Sequence, residues 1–174
     1  MKKLLIAIPL VLLLCFTFGC QRAEEVAEEA QPVVDIEAEK ANVKSVIDMI
    51  HTSFETEDME MLSKCFSHDP NMIIFGTDAA ERWVGWTAFA EAQKQFFEAQ
   101  EESVMTTRDV DIKVHMTGEV AWFSYLVDWK GKALGEPFDF EGARMTGVME
   151  KQNGNWVIVQ WHGSIPVSGQ AVEY

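Results

Sequence analysis

The spacing of apolar side chains changes its period once along the chain. Val43, Ile47, Ile50 and Phe54 recur at helical intervals, which predicts an amphipathic helix. Asp35 opens it as an N-cap, its carboxylate able to accept from free first-turn N–H groups, and Glu37 and Glu39 suit the positive end of the dipole. Asp58 is placed to cap a second, short helix with Met59, Leu62 and Phe66 as its stripe. After the Asp69-Pro70-Asn71 turn, residues 72–75 read as a short buried strand, and Thr87 is expected to cap a third helix with Phe89, Phe96 and Phe97 inward. From residue 103 the period becomes two.

Val104, Thr106, Arg108, Val110, Ile112, Val114 and Met116 then alternate with polar neighbours, the mark of a half-buried strand. After Thr117-Gly118, residues 120–129 form a strand that is apolar on both faces. Trp122 and Leu126 flank Ser124 on one face; Phe123, Tyr125, Val127 and Trp129 form the other. Residues 130–137 read as a loop, and two last strands, 138–151 and 156–164, meet at Gln152-Asn153-Gly154-Asn155, a hairpin signal. Helices first and antiparallel strands after predict an α+β fold with the helices on one sheet face. A sheet with water on one side should alternate apolar and polar. The doubly apolar strand therefore calls for a second burial surface, and a homodimer through the sheet face supplies one.

Upstream of the helices the pattern is different. Lys2 and Lys3 precede an apolar run to Phe18 that is too short to span a bilayer comfortably. It ends in Thr17-Phe18-Gly19-Cys20, which resembles a bacterial lipobox, with Thr17 where Leu is usual. The resemblance implies a signal peptide over residues 1–19 and lipidation of Cys20, hence membrane attachment on the periplasmic side of the envelope. Gln21, rather than the Asp that signals inner-membrane retention in some bacteria, makes the outer membrane the default. Residues 20–34 are Glu/Ala-rich without apolar periodicity and read as an acidic tether, able to extend roughly 50 Å at about 3.3 Å per residue. The domain proper spans 35–166 and a tail 167–174.

The chain has 174 residues and a net charge of −14; losing the leader with its two lysines takes this to −16. Such acidity argues against nucleic acid and against adhesion to anionic lipid. Of three cysteines, Cys15 leaves with the leader and Cys20 is the lipidation site, so Cys65 alone remains and reads as a buried small hydrophobe. No His/Cys grouping has metal-ligand spacing, no Gly-rich phosphate loop appears, and no cofactor is expected.

The last hairpin gathers the best polar cluster. A two-residue Asn153-Gly154 turn pairs Met149 with Ile158 and Met145 with His162; a three-residue loop pairs Arg144 with His162 and Thr146 with Gln160. The second register sorts the residues better, placing Arg144, Thr146, Gln160 and His162 together opposite an apolar face. One cation, one hydroxyl, one amide and one imidazole suit a small-molecule site: Arg144 as a carboxylate clamp, His162 as a proton shuttle and candidate catalytic base, Thr146 and Gln160 as orienters. The same four can instead stitch a dimer interface. Arg108 reaches the site or pairs with an acid, Trp86 is a candidate wall, and Trp83 reads as core. His51 sits one helical step from Ile47, at a pocket mouth or in the core, while His68 and His115 read as surface.

Phe75-Gly76-Thr77-Asp78, then residues 81–86 (Glu-Arg-Trp-Val-Gly-Trp), and the ending 154–164 with Trp156 and His162-Gly163-Ser164 resemble the SnoaL-like domains of the nuclear transport factor 2-like superfamily over residues 36–166. The ending also looks like the association domain of calcium/calmodulin-dependent kinases. The resemblance implies a cone: a strongly curved sheet wrapping the helices, a pocket between them, and a dimer through the outer sheet face. The superfamily includes isomerases, dehydratases, cyclases and domains with no chemistry, so fold does not choose a function. Three readings follow: a lipid-anchored domain binding a small apolar or weakly anionic molecule, an enzyme of the cyclase, isomerase or dehydratase type using His162 and Arg144, or a structural interaction domain.

Overall fold

A computed structural model describes residues 34–169. The leader, Cys20 and nearly all of the tether lie outside the described residues. Helix α1 spans Ile36–Glu55 and α2 Met59–Cys65. Both caps are those expected: Asp35 accepts from Ala38 N at 3.0 Å and Asp58 from Met61 N at 2.9 Å. Strands β1 (Ile73–Phe75) and β2 (Arg82–Val84) form a small hairpin before helix α3 (Trp86–Ala99). Residue 87 is not the cap of α3. Gly85 takes that position at φ 79° without a side-chain hydrogen bond, because the chain must turn sharply over Pro70 there.

Strands β3 (Gln100–Val114), β4 (Val120–Ala133), β5 (Glu136–Gln152) and β6 (Asn155–Ser164) complete a six-stranded sheet in the order β2-β1-β6-β5-β4-β3, antiparallel except between β1 and β6. The expected loop at 130–137 is instead a continuation of both strands. Leu134 and Gly135, at φ 52° and 84°, turn the chain in two residues, and Ala133 pairs with Glu136.

One sheet face is packed on the helices. Val43, Ile47, Ile50 and Phe54 of α1 are buried with Phe123, Tyr125, Val127, Met145, Met149, Ile158 and Trp161. Lys151 Nζ and Trp156 Nε1 both reach the Glu39 carboxylate, at 2.6 and 2.7 Å, and tie the start of α1 to the last hairpin. Those hydrogen bonds, the lysine's first, hold the Glu39 carboxyl below its ordinary range.

Two bulges decide which side chains face inward. Asp109, at φ 52°, sits in a bulge between Arg108 and Asp111. Before it Ser103, Met105 and Thr107 are the less exposed set; after it Val110, Ile112 and Val114 are. Arg108 is thus outward with Val104 and Thr106, not an odd member of one continuous apolar face. The second bulge is in β6. The Asn153-Gly154 turn has two residues, with Gln152 opposite Asn155 and Met149 opposite Ile158. The register then shifts the other way, so that Val148 faces Gln160, Thr146 faces His162 and Arg144 faces Ser164. The three-residue loop preferred on sequence is therefore corrected, although Thr146, Val148, Gln160 and His162 still share a face.

Gly147 marks a close approach across this hairpin. A Cβ there would meet the Phe123 ring at 2.6 Å and the Gln160 carbonyl oxygen at 2.7 Å. Gly147→Ala is expected to lower unfolding free energy by about 1–3 kcal/mol in a urea titration, through overpacking.

Candidate functional site

Arg144, Thr146 and His162 are exposed, and Gln160 half-exposed, on the face turned away from the helices. The cause is parity: Ala143, Met145 and Gly147 occupy the inward positions of β5, and Trp161 and Gly163 those of β6. The cluster expected around a pocket therefore lies on the outer surface. His162 packs edge-on against Phe75, with ring centroids 6.1 Å apart. Arg108, also outward, pairs with Asp128 and Asp109, each at 3.4 Å. Trp86 stacks on His68 at 4.8 Å, near the entrance to α3, and Trp83 packs on Phe89 in the core cluster.

The interior holds a different polar group. His51, only 7% exposed, lies on the buried stripe of α1. Its Nε2 is 3.1 Å from the Tyr125 hydroxyl and its Nδ1 is 2.8 Å from the Thr107 hydroxyl. Burial, the dominant cause, holds the His51 pKa down to about 4, so the ring is neutral at pH 7. Burial likewise raises the Tyr125 pKa, so the phenol keeps its proton. A neutral imidazole has one N–H, and two proton arrangements satisfy the chain. Tyr125 can donate to Nε2 while Nδ1–H donates to Thr107. Alternatively Thr107 donates to Nδ1 and Nε2–H donates to Tyr125, which frees the phenolic O–H.

That free O–H has a neighbour. The indole N–H of Trp161 approaches the Tyr125 oxygen without forming a hydrogen bond of ordinary geometry, and is buried with no partner. An unmet buried donor costs about 1–3 kcal/mol. Around these groups stand aromatic rings. Trp161 lies 5.6 Å from Phe66, 6.3 Å from Phe54 and 6.4 Å from Phe89, and Phe54 lies 5.3 Å from Phe97 and 5.6 Å from Trp129. Among the described residues, none of the buried side chains is a carboxylate, lysine or arginine, and no group of three has metal-ligand geometry. Two surface hollows, of about 460 Å³ over Gly131 and Phe138 and about 220 Å³ beside Met72 and Val159, are not lined by His51 or Tyr125.

Cys65 is fully buried, and loss of solvent pushes its thiol up to about 12. It is a packing residue rather than a nucleophile. Tyr125 and Trp161 are the interior groups that the sequence pattern did not single out. The signal available was a His placed on an otherwise apolar helical stripe.

The family model for the SnoaL-like domain matches residues 43–168. The chain belongs to the SnoaL-like domain family. No curated protein matches it. Solved structures share the fold of this SnoaL-like domain at low identity. A nuclear transport factor 2-like superfamily protein from Salmonella enterica is 18% identical, with a TM-score of 0.70 over 79% of this chain and 98% of that one. A "putative dehydratase" of the same superfamily from Streptomyces avermitilis is 14% identical, at 0.66 over 76% and 99%. A "putative calcium/calmodulin dependent protein kinase II association domain" from Xanthomonas campestris is 17% identical, at 0.60 over 71% and 85%. At these identities the likeness is one of fold.

Proposed function

We propose that this SnoaL-like domain is carried on a lipid anchor at Cys20 and binds a small, uncharged, largely aromatic molecule inside the cone, at Tyr125 and Trp161. The observation that carries the reading is the buried Thr107–His51–Tyr125 chain ending beside an unpartnered indole N–H. In the arrangement that frees the phenolic O–H, it and the indole N–H are two donors that suit one acceptor oxygen, and the surrounding rings suit an apolar body. With Arg144 on the outer surface, the interior has no cation among the described residues to hold an anion, so the weakly anionic ligand drops from the reading. The rings lie close together, and entry requires some of them to swing.

A second reading, catalysis, is favoured by the neutrality of His51. At pH 7 it is an unprotonated base hydrogen-bonded to a protonated phenol, the acid–base pair that loss of water from a small molecule needs. The dehydratase-named relative points the same way. The residues of this reading are His51 and Tyr125 in place of His162 and Arg144.

Thermal melting in acetophenone and, separately, in benzoate tests the ligand reading. Acetophenone should raise the midpoint of the unmodified chain and of Arg144→Ala and His162→Ala, but not of Tyr125→Phe; benzoate should have no effect. Stabilisation by benzoate that vanishes in Arg144→Ala would place the site on the outer face. For the anchor, mass spectrometry of membrane-extracted protein should find a diacylglyceryl-modified Cys20 at the N-terminus. An unmodified start at another residue contradicts it.

A further inference from the structure

Trp161 is buried, so a molecule that reaches its indole N–H must pass other rings. Two chains of rings lead from it toward solvent. One runs through Phe54, 6.3 Å away, to Phe96 and Trp129, which lie 6.2 and 5.6 Å from Phe54. The other runs through Phe66 and Phe89, 5.6 and 6.4 Å from Trp161, to Trp86, which lies 6.1 Å from each. Trp86, Phe96 and Trp129 are all half-buried, so exposure does not choose between the routes. The backbone beneath them does.

The Phe54 route is tied down. Gln100 N donates to Phe96 O, Gln100 Nε2 donates to Phe54 O at 2.6 Å, and Leu134 N donates to Ala99 O at 2.9 Å. Trp129 is pinned by its own indole N–H, which donates to Ser103 Oγ at 2.8 Å. Trp83, 5.7 Å from Phe89, is held in β2 opposite Ile74. The first turn of α3, which carries Trp86, is tied by much less. Helices α1 and α2 each begin with an aspartate cap and a first backbone bond of 3.0 and 2.9 Å. Helix α3 begins at Gly85 with no side-chain cap and no acidic residue in its first turn, and its first bond, from Phe89 N to Gly85 O, is 3.5 Å. A helix start whose N–H groups lack partners opens at low cost. Gly85 itself is held, its N–H donating to Met72 O at 2.7 Å, so the loose turn has a fixed pivot. The exposed His68 ring stacks on the Trp86 indole, 4.8 Å away and 5° from parallel. Its Nε2 lies 3.1 Å from both the hydroxyl and the carbonyl oxygen of Ser63, which fastens the imidazole to α2.

We propose that Trp86 is the gate of the cone and His68 the latch that holds it shut. Opening swings the first turn of α3 about Gly85, lifts the indole off Phe66 and Phe89, and clears the way to Trp161. In what the gate admits, the proposal rests on the ligand reading; the opening itself does not.

Exchange of the Trp161 indole N–H with D2O reads that opening without any ligand. It is followed in ¹H–¹⁵N spectra of the full chain at pH 7. His68→Ala should accelerate it by roughly 10-fold or more, because the latch is gone and an exposed side chain has been shortened without touching the core. The indoles of Trp129 and Trp156, hydrogen-bonded to Ser103 and Glu39, are the internal controls and should exchange as before. Trp86→Ala should accelerate Trp161 further. Ala88→Glu adds an acidic group to the exposed side of the first turn and should slow Trp161 by about 2–5-fold. Trp161 exchange that is unchanged in His68→Ala overturns the proposal. So does acceleration shared equally by Trp129 and Trp156, which would mean unfolding rather than a gate. So does acceleration by Phe96→Ala alone, which would move the entrance to the other end of α3. The two readings fail separately: no stabilisation by acetophenone removes the ligand and leaves the gate, whereas stabilisation with unchanged exchange removes the gate and leaves the ligand.

Discussion

Acidification from pH 7 to pH 4 should remove about 3 kcal/mol of folding free energy through His51 alone. The group has its ordinary value of 6.5 when unfolded and about 4 when folded. Above pH 6.5 both states are neutral at this site and its contribution is complete. Between 6.5 and 4 the unfolded chain binds a proton that the folded chain refuses, so stability falls by about 1.4 kcal/mol per pH unit. Below 4 both states are protonated and the slope from this group ends. Urea titrations of the unmodified chain and of His51→Gln, at pH 7, 5.5 and 4, separate this effect from the carboxylates, which are common to both proteins. The pH dependence of the variant should be flatter by that amount. Equal slopes would mean that the folded chain binds the His51 proton as readily as the unfolded chain, and that the ring is not held neutral by burial.

Phe54→Ala should cost more, about 3–5 kcal/mol in the same titration at pH 7. The ring is buried and lies within 6.3 Å, centroid to centroid, of Phe96, Phe97, Trp129 and Trp161. Few of these large rings can collapse into the space left, so the cavity term adds to the lost transfer energy. The position has a second use. The ring packs against Trp161 and against Phe96 and Phe97 at the end of α3, and its removal opens room beside the Trp161 ring. Acetophenone should therefore stabilise Phe54→Ala by more than it stabilises the unmodified chain. A loss below 1 kcal/mol would mean that the cone is loosely filled.

Those two residues also show what sequence pattern can and cannot convey. Phe54 was legible because burial on α1 follows a single period: Val43, Ile47, Ile50 and Phe54 are all buried as their spacing predicts. The α+β order and the grouping of Phe123, Tyr125 and Val127 on one face of β4 were legible for the same reason, although both faces read as apolar and only the structure shows that this one is buried. What escaped were departures from period. A bulge at Asp109 divides the outward and inward sets of β3, and a bulge beyond Val148 reverses the slip expected in the last hairpin. One extra residue moves every later side chain to the other face, and nothing in residue identity marks where it is inserted. The bond from His51 to Tyr125 joins residues 74 positions apart. Local pattern carries no information at that separation; only the packing of α1 on β4 brings them together. Arg144 and His162 were rightly grouped on one face, yet which side of the sheet that face takes depends on the helices rather than on the hairpin.

The central claim is that the binding chemistry lies inside the cone, at Tyr125 and Trp161. Its most direct test is the ¹H–¹⁵N spectrum of the full chain titrated with acetophenone, with the Trp161 indole resonance assigned by Trp161→Phe. The account predicts a saturable downfield shift of that indole N–H as it gains an acceptor, together with movement of the His51 ring nitrogens and no change at His162. Shifts at His162 and Thr146 with the Trp161 indole unmoved would contradict it.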